Sequence, residues 1–250
     1  MPRDKREEVV IIDKILRFNE FERFYRIEWE SRNISIDWWI DPSCPQFALF
    51  SFEDGKPFIE LRHMPNNLND AFLVAHEMVH VMKHHDGEML EFMMSDLGAR
   101  KIGQREIGDL AARFGSMFDD PIVDSFLQNK YNFNPAHFYA KIKVPDTIKS
   151  LNSHPEAIDD LYRLKQALLY SQFALQFDSI IDEKALREWR KLKRLYQRKR
   201  PNVTRIGEEL YTITKENGYD TIEKQRTVFN KIADVYNIKG LVLKDMLVTK

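Results

Sequence analysis

Two histidines four residues apart, with a glutamate directly after the first, give this chain its clearest chemical pattern: His76-Glu77-Met78-Val79-His80. On an α-helix, residues i and i+4 share a face about one turn apart. Two imidazoles so placed can aim at one divalent cation, with bonds of roughly 2.0–2.1 Å if the ion is zinc. Glu77 is offset from the first histidine, so its carboxylate reaches a water on the metal rather than the metal itself. Zinc lowers the pKa of such a water toward about 7, and a neighbouring carboxylate can then take its proton. The chemistry implied is hydrolysis, with Glu77 as general base and water attacking a polarised carbonyl. The plainer reading is a helix whose two histidines are only hydrogen-bonded, since buried imidazoles need partners in any case.

The pattern requires a helix, and the surrounding residues predict one. Asn67 or Asn69 is a suitable N-cap, Phe72, Ala75, Val79 and Met82 give an apolar side, and Asp86-Gly87 stops the helix after His85. Upstream, Phe47 to Phe52 and Phe58 to Arg62 are short apolar segments around an Asp54-Gly55 turn, which predicts a hairpin. Ile34, Ile36, Trp38 and Ile40 alternate as in a strand, and residues 4–21 have helical periodicity. Residues 22–30 suit either a strand or a continued helix. Residues 88–130 read as two or three helical pieces, broken near Gly98, Gly103 and Pro121. Residues 131–145 read as a connection. Amphipathic helices follow near 156–177, 182–199, 203–216 and 221–236.

With the motif in this setting, the chain resembles the zincin metallopeptidases over roughly residues 45–130. In that family an edge strand precedes the active-site helix and holds extended substrate, and Phe58 to Arg62 stands where that strand is expected. A catalytic zinc has three protein ligands and one open position. The metzincin pattern fails here, because Lys83 and Asp86 occupy the places of its glycine and third histidine. Met117-Phe118-Asp119-Asp120-Pro121-Ile122-Val123-Asp124 instead resembles the second helix of the thermolysin-like gluzincins. That resemblance implies Asp120 as third zinc ligand, Asp119 in the place of a polar asparagine, and Asp124 as the carboxylate that orients a zinc-bound histidine. Asp stands where those relatives have Glu, so the helix would have to approach the metal more closely. The same residues also read as a helix N-terminus, with acids near its positive end and Pro121 in the first turn. Glu106, 26 residues beyond His80, is a rival ligand, as are Asp86, Glu88 and Glu91. His84 follows His80 by one turn. Tyr131, His137, Tyr139 and His154 are candidates to stabilise an oxyanion, though spacing selects none.

The remaining features bound the reading. Hydrophobic residues make up 43% and charged residues 31%, and Gly and Pro are sparse, so a mostly helical globular α+β fold is expected. The architecture expected is a small mixed or antiparallel sheet packed on the active-site helix, followed by a helical region. The division expected is a zincin-like part over 1–147 and helices over 148–250. Cys44 is the single cysteine, which excludes an intrachain disulfide. The absence of a signal-like or membrane-spanning apolar run leads to an expectation of a cytoplasmic protein. Net charge is −1, so any attraction to nucleic acid is local. Residues 184–205 hold ten Lys or Arg and one acid, Glu188. They read as a solvated cationic helix, or as a patch for an acidic partner or nucleic acid. The function expected is a zinc metallopeptidase acting on a peptide or protein. The alternatives are hydrolysis of a non-peptide amide, and a zincin-fold regulator or assembly factor acting through its basic helical region.

Overall fold

The computed structural model describes residues 3–44, 46–53, 55–94, 104–156, 159–238 and 241–243. The fold is α+β and mostly helical, with one small mixed sheet. Two compact units are present. One comprises residues 1–88 and 123–135, the other residues 89–122 and 136–250.

The first unit opens with β1 (Asp4–Arg6), α1 (Glu8–Ile15) and α2 (Asn19–Phe24), which continues through a wide π-turn at Tyr25–Trp29. The single helix expected over 4–21 is therefore a strand and two helices. β1 pairs with β2, and the chain breaks at Leu16 to Phe18, where Phe18 is extended. The ambiguous 22–30 segment is helical, which buries Phe21, Phe24 and Trp29 together. Next come β2 (Asp37–Ile40), β3 (Ala48–Glu53) and β4 (Lys56–Leu61), in the sheet order β1-β2-β4-β3. β3 and β4 form the expected antiparallel hairpin. Glu53 pairs with Lys56, and Gly55 has φ 77°, a conformation open to glycine without strain.

Phe58 to Arg62 is not the expected edge strand, because β4 lies between β2 (parallel) and β3 (antiparallel). Its buried Phe58, Ile59 and Leu61 fit an interior position, and β3 and β1 form the two edges.

α3 (Leu68–His85) crosses beneath this sheet and carries the two histidines. The Asn67 side chain accepts from the N–H groups of Asn69 and Asp70, capping the helix where the sequence indicated. Lys83, His84 and His85 sit at its negative C-terminal end, and Gly87 at φ 72° ends it. Every residue from Asp70 to Met82 is buried, polar ones included. A helix buried on all sides is a core element, and its polar groups must find partners inside the protein.

Further elements are β5 (Phe92–Met94), paired antiparallel with β6 (Leu241–Leu243), then α4 (Gln104–Tyr131), α5 (Pro135–Phe138), α6 (Val144–Ser153), α7 (Asp160–Asp178), α8 (Glu183–Lys199), α9 (Pro201–Asn217) and α10 (Ile222–Val235). Both short strands stand outside the helical reading of the sequence. The expected breaks at Gly98 and Gly103 lie outside the described residues. Pro121 does not break the chain: α4 runs through it as one helix of 28 residues, about 42 Å at 1.5 Å per residue. Asp119 to Pro121 is thus helix interior and not an N-terminus. The connection expected over 131–145 is helical from Pro135 onward, since α5 passes through a π-turn at Tyr139–Lys143 into α6. Among the described residues no helix is long and apolar enough to cross a membrane.

Candidate metal centre

Helical geometry alone places His76 and His80 on one face of α3, and tertiary packing brings α4 to that face. His76 Nδ1 lies 3.0 Å from Asp124 Oδ1, with both side chains buried. A carboxylate accepts the Nδ1 proton there, which leaves the lone pair of His76 on Nε2. That Nε2 stands 3.1 Å from Nε2 of His80. Two nitrogens on one tetrahedral zinc, each at roughly 2.0–2.1 Å, would stand about 3.3 Å apart. The pair therefore has nearly the spacing that a shared ion requires.

Asp120 is one turn before Asp124 on the same unbroken helix, so the two carboxylates share a face. The ligand atoms of His76, His80 and Asp120 all lie within 4.8 Å of one another. Among the described residues this is the one group of three that could hold a metal ion. Two neutral imidazole nitrogens and one carboxylate oxygen form a donor set suited to zinc, with room for a fourth ligand.

Two partners were not anticipated. Gln172 of α7, itself buried, donates from Nε2 to Asp120 Oδ2 at 2.6 Å. A carboxylate offers about four lone-pair sites, so this bond anchors Asp120 and leaves capacity for a metal. The only signal in the sequence was a polar amide inside the run Tyr170 to Phe177, all of which is buried. The second partner is backbone. Arg62 N–H donates to Phe47 O across the hairpin, so by antiparallel alternation Phe47, Leu49 and Ser51 turn toward β4. Ala48, Phe50 and Phe52 then turn their N–H and C=O groups to the free edge. Phe50 N–H donates to Glu77 Oε2 at 2.8 Å. Glu77 of α3 is thereby tied to the edge strand through one carboxylate oxygen.

The other candidates are placed elsewhere. Asp119 is buried, and its Oδ1 lies 3.5 Å from Nε2 of Gln225. As the residue next to Asp120 it is turned about 100° around the helix, off the shared face of Asp120 and Asp124. Glu106 is exposed near the start of α4, 14 residues before Asp120. Asp86 closes α3, pairs with Arg32, and has its carboxyl lowered by the His85 hydrogen bond first and then by Arg32. Glu88 is exposed. The His84 ring packs against Phe52 at 4.6 Å and Phe50 at 6.1 Å. Tyr131 donates to Glu28, and burial followed by that bond raises its pKa far above the usual phenol range. Tyr139 accepts from Gln176, while His137 and His154 are exposed.

No family model, curated protein or solved structure significantly matches this chain.

Proposed function

We propose that the protein is a zinc-dependent metallopeptidase of zincin type. The observation that carries this reading is that Asp120 of α4 meets His76 and His80, which flank Glu77 on a helix buried on all sides. A site that only stabilised a fold would need no base next to its ligands. His76, His80 and Asp120 would hold the ion. The chemistry zinc supplies at such a site is Lewis acidity toward a carbonyl and toward water. Asp124 keeps His76 in the tautomer that ligates, and Gln172 holds Asp120. Glu77 takes a proton from the attacking water as its oxygen adds to the carbonyl carbon. As the C–N bond breaks, Glu77 passes that proton to the leaving nitrogen. The outward N–H and C=O groups of β3 offer main-chain partners to an extended peptide, the strand-addition mode of recognition.

The test is turnover of a mixed peptide library by zinc-loaded wild type beside Glu77→Gln, read by mass spectrometry. Cleavage by wild type, with a loss of at least about a hundredfold in the variant at unchanged zinc content, is the expected result. Equal cleavage by both proteins, or none by either, would overturn the peptidase reading.

A further inference from the structure

The basic stretch that the metal centre leaves unused is resolved by α8 into two chemically different faces. Ala185, Leu192 and Tyr196 are buried, with Trp189 packed on Phe177 and Tyr170. Opposite them, Lys184, Arg187, Lys191, Arg194 and Arg198 are all exposed. At 3.6 residues per turn these five fall within about 80° of arc, in a row about 21 Å long.

Three of the flanking basic groups are paired with acids within the protein. Lys193 pairs with Glu208 at 2.7 Å, Arg190 with Glu183 at 3.5 Å, and Arg205 with Glu209 at 3.8 Å. Arg200 is buried and donates to Gln166. On the row itself only Lys191 has a counter-charge, Glu188 at 2.6 Å. Lys184, Arg187, Arg194 and Arg198 make no ion pair with a described residue.

The row borders a groove of about 490 Å³ between α6 and α8, lined by Ile148, Asn152, Lys191, Arg194, Leu195 and Arg198. Leu195 and Ile148 give it apolar surface beside the guanidinium groups.

From this arrangement we infer that α8 and its groove bind the sugar–phosphate backbone of a nucleic-acid strand. Outward charges recur every three or four residues, a rise of about 4.5–6 Å. A polymer with a charge on every repeat complements such a row along its whole length, whereas a protein chain of ordinary composition does not. The planar forks of three arginines match phosphate oxygens in pairs. Uncharged Leu195 and Ile148 allow a base to lie against the groove without leaving a polar group unpaired.

The experiment is fluorescence anisotropy on the full chain with a labelled single strand and a labelled duplex, each of about 20 nucleotides per strand, at 50 and 200 mM salt. Four or five phosphate contacts predict a loss of roughly 50- to 500-fold in affinity between those salt concentrations. Whichever form binds more tightly identifies the strand state. The double variant R194E/R198E should lose at least about tenfold in affinity, while R205E/K215E, with the same change in charge off the row, should lose little. R194Q/R198Q should fall between wild type and R194E/R198E, with the circular dichroism of the wild type. Absence of binding at 50 mM salt, or equal losses in the two Glu double variants, would overturn the inference. So would displacement of the oligonucleotide by polyglutamate at equal charge concentration, which would assign the row to an acidic protein.

Discussion

Asp120 is anchored by a neighbour, Gln172, rather than by its own length. An aspartate is one methylene shorter than the glutamate of the gluzincin pattern, and Gln172 holds one of its oxygens by a hydrogen bond. Gln172→Leu removes that bond at nearly constant volume. Zinc affinity should then fall by roughly 10- to 100-fold, measured by competition with a chromogenic chelator, with the melting profile of the metal-free protein little changed. Cys44 marks the opposite case, a reactive residue type without chemistry. Burial first, and then the nearby Glu60 carboxylate, push its thiol up to about 11. Alkylation of the folded protein at pH 7 should be slow and should accelerate on unfolding. His76, Glu77 and His80 were legible because one helical turn fixes their relation locally. Gln172 and the Phe50 amide were not, because each reaches the site through tertiary packing that no spacing records.

Elements were legible where their ends are written in local chemistry. Asn67, the Asp-Gly turn at residue 55 and Gly87 mark boundaries that the structure keeps. Proline misled at 121. Pro121 offers no N–H to the carbonyl of Met117, which ordinarily ends or kinks a helix. Packing of the buried Phe114, Met117, Phe118 and Val123 along α4 carries the helix past it. The exchange of edge and interior between β3 and β4 has a similar cause. Both segments are apolar enough to serve in either place, and only the pairing of β4 with β2 decides. Helix approach sets a further test. Gly207 of α9 faces Tyr170 of α7, and an added Cβ would stand 2.5 Å from Tyr170 Cδ1. Tyr170 is fully buried and bonded to Glu208, so it has little room to yield. Gly207→Ala should destabilise by about 1–3 kcal/mol in urea unfolding, despite the better helix propensity of alanine.

For the molecule as a whole, the composition suited a helical α+β protein, and the structure has that class. Acid should weaken it at a definable place. Burial raises the Glu28 carboxyl, but the hydrogen bonds from Lys130 and Tyr131 and the charge of Lys130 outweigh that and hold it below its ordinary 4.5. A depressed folded pKa contributes stability that is complete above that ordinary value and is lost as pH falls through the folded one. Glu28→Gln should therefore lower stability near neutrality and flatten its decline below about pH 4.5, followed by thermal unfolding against pH. An ion held by the native state alone also stabilises by mass action, so a chelator should lower the melting temperature of wild type but not of His80→Ala. The most direct measurement of the central claim is zinc content per chain in wild type, His80→Ala, Asp120→Ala and Glu106→Ala after dialysis. One zinc per chain is expected in wild type and Glu106→Ala, and loss in the other two. Zinc retained by Asp120→Ala and lost by Glu106→Ala would contradict it.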